Sequence, residues 1–177
     1  MAGQELKSSD ICVVVPTLNE ARHIEACLTS LMRGDDLLKD VEFVVADGGS
    51  DDGTVDIVEG ISRKHPNVRL INNPERIQSI AVNLGAEAAQ SKARILVRCD
   101  AHSIYPDNYI VDLARKLDET GAASVVVPMD AVGEGCFQRA NAFIVDSPLG
   151  NGGSAHRGGL KSGFVDHGHH AAFDMAA

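Results

Sequence analysis

The stretch that decides the fold is Arg94-Ile95-Leu96-Val97-Arg98-Cys99-Asp100-Ala101-His102. A short apolar run closed by polar groups is typical of a central strand in a sheet that is covered on both faces. The last side chains of such a strand project into the crevice at the carboxyl edge of the sheet, where open α/β sheets bind ligands. A carboxylate and an imidazole at that edge, Asp100 and His102, can both reach one divalent cation. The pattern is also compatible with a loop-starting Asp followed by a surface His.

Strand and helix patterns alternate on both sides of this stretch. Runs of β-favouring residues predict strands at 11–15, 41–46, 68–71 and 122–128. Apolar residues at a spacing of 3.6 predict amphipathic helices between these strands, and no hairpin signal interrupts the alternation until late in the chain. The order predicts βαβ units in a mostly parallel sheet with right-handed crossovers.

Two loops at the predicted carboxyl edge carry polar residues. After Pro16, the sequence Thr17-Leu18-Asn19-Glu20 has the spacing of a capping box, which predicts Thr17 as the N-cap of the first helix with Glu20 reaching back. The second loop, Asp47-Gly48-Gly49-Ser50-Asp51-Asp52-Gly53-Thr54, places several carboxylates around a glycine-rich turn. It is interpreted as a loop that faces a ligand, with a tight βα connection capped by Asp51 as the alternative.

The helix predicted to begin at Ile77 has two notable features. Arg76 stands just before its amide-rich N-terminus, where an arginine favours a diphosphate, although a solvated surface arginine fits the same pattern. Along the helix, small residues at Asn83, Gly85 and Ala86 leave one face open to close packing.

Composition limits the class of protein. The chain has 177 residues, 44% of them hydrophobic, and 16 basic against 25 acidic residues give a net charge of −9. This charge argues against a nucleic-acid partner, and a phosphate ligand would need a metal ion or well-placed arginines. The cysteines show no metal-binding spacing, and those at Cys12, Cys27 and Cys99 are expected to be buried free thiols. Without a signal-peptide core or a long apolar run, the polypeptide is expected in the cytoplasm, at the membrane only as part of a longer parent.

The pattern changes after Met129. A helix is predicted at 133–145, then a glycine-rich loop at 147–159 that suits a lid, and then a tract with His167, His169 and His170. The tract invites a metal site but lacks the spacing of a closed zinc site. We therefore divide the chain into a polar tail (1–10), a ligand-binding α/β domain (11–129) and the start of a further region (130–177). Because Ala171–Ala177 begins an element without a cap, the chain is interpreted as C-terminally truncated.

Taken together, these motifs resemble the family 2 glycosyltransferases of the GT-A fold. The residues that carry the resemblance are Val13–Glu20, Val44–Thr54, Asn83-Leu84-Gly85 and Asp100-Ala101-His102. Later segments resemble more narrowly the succinoglycan-type exopolysaccharide glycosyltransferases, namely Phe137–Ala140, Gly152–Arg157 and Val165–His170.

The resemblance implies a nucleotide-diphospho-sugar donor, with UDP-glucose as the first candidate, and inversion at the anomeric carbon. It implies that Asp47 contacts the uracil edge and that Pro16, Thr17 and Glu20 line the nucleoside. Arg76 takes the place of the basic residue near the base and diphosphate. Asp100 and His102 correspond to the metal-binding Asp-x-Asp of the family; His in the third position keeps a ligand for Mn²⁺ or Mg²⁺ and favours Mn²⁺.

The family's catalytic base is expected beyond Ala177, because Asp166 and Asp174 do not match its pattern. The acceptor implied is a growing exopolysaccharide or a lipid-linked oligosaccharide. Two rivals stay open: a catalytically silent nucleotide-binding module, and a nucleotide-sugar pyrophosphorylase, although the latter needs an arginine-containing glycine loop after the first strand. A dinucleotide dehydrogenase would need GxGxxG there, and the sequence has none.

Overall fold

The computed structural model describes residues 5–89, 93–127, 131–133, 135–147, 163 and 171–176. Over these residues a six-stranded sheet forms in the order β3-β2-β1-β4-β6-β5. Its strands are β1 (Ile11–Thr17), β2 (Glu42–Asp47), β3 (Val68–Asn72), β4 (Ile95–Arg98), β5 (Ser124–Val126) and β6 (Ala171–Asp174). The first four strands are parallel, whereas β6 runs antiparallel to β4. The mostly parallel α/β fold and the central place of β4 are therefore confirmed.

Helices connect the strands. They are α1 (Ile24–Leu31), α2 (Thr54–Ser62), α3 (Gln78–Ala88), α4 (Tyr109–Thr120) and α5 (Cys136–Asp146). Each α1–α4 helix follows a parallel strand, as the alternation of apolar patterns predicts. Short 3₁₀ segments lie at Ser8–Asp10 and Asp36–Lys39.

The sheet is covered on both faces. On one face Cys12, Val14, Val44 and Leu96 form a core cluster, against which Val82 and Ala86 of α3 pack. Side chains alternate along a strand, so Ile11, Val13 and Val15 project to the opposite face, and they are also fully buried. This double burial explains why the central strands are continuous apolar runs and do not alternate with polar residues.

The predicted capping box after β1 is wrong. Thr17 is the last residue of β1, and its hydroxyl donates to the Val15 carbonyl (3.0 Å). The helix begins at Ile24. His23 occupies the N-cap position, but its side chain makes no capping hydrogen bond. The capping pattern is local, but the Glu20 side chain is used in a long-range contact with His102.

The chain divides into two compact units, Met1–Val125 with Ala171–Ala177, and Val126–His170. The sequence places 171–177 in the region that starts at residue 130, whereas in the structure Ala171–Asp174 pairs with β4 in the larger unit. Cys12, Cys27 and Cys99 are buried free thiols, as expected, and Cys136 is exposed. Within the described ranges, no helix is both long and apolar enough to cross a membrane.

Candidate functional site

A cleft of about 170 Å³ opens at the carboxyl edge of the sheet, where β1, β2 and β4 end. It brings together every predicted site residue except Asp47. Its lining comprises Pro16, Thr17, Leu18, Glu20, Gly48, Asn73, Arg76, Gln78, Asp100, Ala101 and His102. Segments far apart in sequence meet here because parallel strands deliver all their carboxyl ends to one edge.

Asp47 lies at the end of β2 and is 4% exposed. Its Oδ2 accepts hydrogen bonds from the backbone N–H groups of Gly49 (2.8 Å) and Ser50 (2.9 Å), and its Oδ1 accepts one from the Ser50 hydroxyl (2.5 Å). The carboxylate therefore holds the turn that follows it, and Gly49 supplies the positive φ (81°) which that turn requires. The structure thus gives Asp47 a loop-forming task at the border of the cleft.

Hydrogen bonds also join the 47–54 loop to the segment after β1. Asp52 accepts a hydrogen bond from the backbone N–H of Ala21 (2.9 Å), and the Asn19 side chain accepts one from Asp51 N–H (3.0 Å). Hydrogen bonds, first of all from the Thr54 hydroxyl, lower the pKa of Asp52. The acidic residues of this loop are therefore partly explained by the backbone groups that they satisfy.

Arg76 stands over the glycine turn. It adopts a positive φ of 58°, and a Cβ placed on Gly49 would lie 3.4 Å from its Nη2. Arg76 forms no salt bridge with any residue in the described ranges, so its charge is available to a ligand in the cleft. A planar guanidinium in this position suits a diphosphate or the polar edge of a base.

Contacts with Tyr105 and Cys27 hold the backbone of Asp100 in place. The Tyr105 hydroxyl accepts a hydrogen bond from Asp100 N–H (2.8 Å) and donates one to the Asp100 carbonyl (3.2 Å). The Cys27 thiol lies 3.5 Å from the same carbonyl. Burial raises the pKa of the Tyr105 phenol, which therefore stays a neutral donor. No sequence pattern predicted this role for Tyr105 or Cys27.

Asp100 is 9% exposed, and the neighbours of its carboxylate include Gln78 and Arg98. Gln78, the first residue of α3, donates to its Oδ1 (3.1 Å), and Arg98 Nη2 lies 3.6 Å from the same atom. Sequence reasoning missed both. Gln78 lies two residues after Arg76 at the start of a predicted helix, and this position is the signal by which it could have been found.

His102 lies on the exposed side of the cleft. Its Nδ1 is 2.9 Å from Oε1 of Glu20, and the side chains are 61% and 19% exposed. Glu20 thus reaches the histidine across the mouth of the cleft, from the segment that follows β1.

The residues present fit a hard-to-borderline divalent cation. Asp100 offers a carboxylate oxygen and His102 an imidazole nitrogen, and Mn²⁺ accepts both. Within the described part of the chain, no group of three or more His, Cys, Asp or Glu side chains is placed to hold a metal.

Other predicted positions fall elsewhere. Asp174 pairs with Ile95 at the amino end of β4, which is the opposite edge of the sheet from Asp100. Asp166, His167, His169 and His170 lie outside the described residues, as does the glycine-rich stretch 148–159.

The sequence model described as "Glycosyl transferase family 2" matches residues 12–177. The chain belongs to glycosyltransferase family 2. It is 44% identical to "Succinoglycan biosynthesis protein ExoA" of Rhizobium meliloti, over 100% of this chain and 53% of that protein. It is 30% identical to a "PGL/p-HBAD biosynthesis glycosyltransferase" of Mycobacterium bovis, over 77% of this chain and 53% of that protein. The family 2 chain thus spans about half the length of the curated relatives that it matches.

Solved structures confirm the GT-A fold. S. aureus TarS 1-349 in complex with UDP matches with a TM-score of 0.57 at 25% identity, over 73% of this chain and 38% of that chain. The mannosyltransferase PcManGT of Pyrobaculum calidifontis, in complex with GDP-Man and Mn²⁺, matches with a TM-score of 0.64. It is 23% identical and covers 94% of this chain and 45% of that chain, so it supports the fold alone.

Proposed function

We propose that this chain is the donor-binding part of an inverting family 2 glycosyltransferase that uses a UDP-sugar, with UDP-glucose as the first candidate. The observation that carries the proposal is the meeting of Asp100, His102 and Arg76 in one cleft at the carboxyl edge of the sheet. The complex of TarS with UDP supports the choice of nucleotide.

The roles follow from charge and position. Arg76 contacts the base or diphosphate, and Pro16, Thr17 and Glu20 border the nucleoside. Asp100 and His102 hold Mn²⁺ or Mg²⁺, which when bound neutralises the charge that develops on the diphosphate leaving group. A protein with a net charge of −9 needs such a cation to bind a diphosphate.

The acceptor is proposed from the relatives' names. ExoA is named for succinoglycan biosynthesis, so we propose an exopolysaccharide or lipid-linked oligosaccharide acceptor for the parent enzyme. An inverting transfer needs a carboxylate that takes the proton of the acceptor hydroxyl. That base is proposed to lie in a part of the enzyme beyond Ala177.

Calorimetric titration of UDP with and without Mn²⁺ tests the proposal, with GDP as the competing nucleotide. We expect manganese-dependent binding of UDP. Asp100→Asn should weaken that binding about tenfold or more, since the substitution removes a charged metal ligand. The amide oxygen of the new side chain can still accept the hydrogen bond from Gln78. Asp107→Asn is the matched control, because Asp107 is exposed and pairs with Arg33 outside the cleft lining.

Two results would contradict the assignment. Equal affinity of wild type and Asp100→Asn would exclude Asp100 as a metal ligand. A folded wild-type chain that binds no UDP under either condition would exclude the donor site itself. Manganese-dependent binding without sugar transfer, even in a longer chain, would instead favour the silent nucleotide-binding module.

A further inference from the structure

The contact between Glu20 and His102 bears on the position of the imidazole ring and on which ring nitrogen carries the proton. A carboxylate only accepts hydrogen bonds, whereas a neutral imidazole carries one N–H donor and one acceptor nitrogen. With Glu20 Oε1 2.9 Å from Nδ1 of His102, the ring proton must lie on Nδ1 for the hydrogen bond to form. The lone pair then lies on Nε2, the nitrogen that points away from Glu20.

We infer that Glu20 is a positioning residue that holds His102 as the Nδ1–H tautomer and so presents Nε2 to a divalent cation. The inference rests on the proposed metal-dependent donor site and assigns Glu20 a task beyond lining the nucleoside. Histidine ligands of metals commonly donate their second ring N–H to a carboxylate, which orients the ring and raises its basicity as a ligand.

The backbone of Glu20 is anchored on both sides. Its N–H donates to the Thr54 hydroxyl (2.8 Å), and its carbonyl accepts from the N–H groups of His23 and Ile24 (both 2.9 Å). Thr54 is fully buried, and its hydroxyl in turn donates to Asp52 (2.5 Å). The Glu20 side chain therefore starts from a fixed point and is mostly shielded, with 19% of it exposed.

These contacts connect the histidine to the loop that follows β2. Displacing Thr54 or Asp52 would move Glu20, and through Glu20 the ring of His102. The segment 17–23, which has the pattern of a helix cap, is thus used to support a ligand that lies 82 residues further along the chain. A simple surface ion pair, with a doubly protonated ring, is the competing explanation of the contact.

Nitrogen-15 NMR of the metal-free chain at pH 8 distinguishes these states. The signals of His102 are assigned by their loss in His102→Gln. We expect one protonated nitrogen at Nδ1 and one unprotonated nitrogen at Nε2. Protonation of both nitrogens would indicate the ion pair, and a proton on Nε2 alone would indicate that Glu20 does not select the tautomer. Either result overturns the inference.

Calorimetry then measures the affinity for Mn²⁺ in the presence of UDP. We expect Glu20→Gln to lower it about tenfold, because a neutral amide can donate as well as accept and no longer selects one tautomer. Glu25→Gln removes the same charge from an exposed position on α1 and should leave the affinity unchanged. In a His102→Ala background, Glu20→Gln should cause no further loss.

The outcomes separate the inference from the function on which it rests. If the folded wild-type chain binds no manganese with UDP, the donor site and the inference both fail. If wild type binds and Glu20→Gln binds equally well, only the inference fails. An equal loss from Glu20→Gln with and without His102 would also overturn it, because Glu20 would then act independently of the ring.

Discussion

At the scale of a single residue, Asp47 shows how a binding role and a structural role can share one carboxylate. Within the described residues, its carboxylate accepts hydrogen bonds from Gly49 and Ser50 of its own loop. The resemblance to the family assigns the same residue to the uracil edge. The two tasks make different demands, since the loop needs acceptors and the base needs a carboxylate that can be reached from the cleft.

Asp47→Asn is expected to lower the free energy of unfolding by about 1–3 kcal/mol, because an amide keeps only one acceptor atom for the three donors of the turn. It should also reduce the preference for UDP over GDP. Urea denaturation measures the first effect and competitive calorimetry the second.

Ser50→Ala is the matched control for Asp47→Asn. It removes the hydroxyl donor but leaves the carboxylate intact, so it should cost about 0.5–1.5 kcal/mol and keep the preference for UDP. If Asp47→Asn is destabilised and still prefers UDP as strongly as wild type, Asp47 serves the loop alone.

Individual residues of the site were predictable only in part. Asp100, His102 and Arg76 follow strands or precede a helix, and topology alone brings such positions to one edge. The partners of Glu20 and Asp100 were not predictable, because those contacts join residues 82 and 22 positions apart. Local patterns hold no information about such pairs.

At the scale of an element, the seating of α3 on the sheet depends on Gly85. A Cβ at this position would lie 2.6 Å from Cγ1 and 2.7 Å from Cγ2 of Val14, a fully buried residue of β1. Because Val14 is fixed between two neighbouring strands, the helix must give way. The N-terminus of α3 supplies Gln78 to the carboxylate of Asp100, so the position of the helix also affects the site.

Gly85→Ala is therefore expected to lower the free energy of unfolding by about 1–3 kcal/mol, the usual cost of overpacking a core. The gain in helix propensity, up to about 1 kcal/mol, does not offset it.

Gly60→Ala in α2 is the control, since its Cβ would meet nothing closer than Arg63 Nη2 at 3.9 Å. That variant should gain stability by up to about 1 kcal/mol in the same urea titration. Equal stabilisation of both variants would show that α3 tolerates a methyl group against β1.

Elements were predictable where local pattern and tertiary structure agree. The parallel strands and the helices α1–α4 come from long, periodic segments that bury a single face or both. The strand β6 (Ala171–Asp174) was not recognised as part of the sheet, because four residues without alternation define neither direction nor partner. In the structure it pairs with β4 in antiparallel orientation.

At the scale of the whole chain, charge explains why the cleft is expected to need a cation. The net charge is −9, and Arg98 lies against Asp100, with its Nη2 3.6 Å from the carboxylate. Among the described residues that line the cleft, Arg76 is the cation available to a diphosphate. Composition predicted this need, but the sequence could not show that Arg98 lies against Asp100.

The larger unit also contains a set of buried acids that are neutral at physiological pH. Burial raises the pKa of the Cys12 and Cys27 thiols from 9.0 to about 12, and it raises the pKa of Cys99 well above the same value. Burial likewise raises the pKa of the Tyr105 and Tyr109 phenols. Above pH 9 the unfolded chain loses protons that the folded chain retains, so unfolding becomes more favourable as the pH rises.

We therefore expect these groups to have little effect on the free energy of unfolding below pH 9 and to lower it steeply above pH 9. Each thiol subtracts about 1.4 kcal/mol per pH unit once it is ionised in the unfolded chain, so the three together subtract roughly 4 kcal/mol per unit. Urea titrations at intervals from pH 8 to pH 11, under reducing conditions, measure the slope.

Cys12→Ala tests the contribution of one thiol. It lowers the stability at every pH but should make the slope shallower by about the contribution of one thiol. A slope in Cys12→Ala equal to that of wild type would contradict the prediction, because it would mean that this thiol ionises in the folded chain despite its burial in the core cluster with Val14 and Leu96.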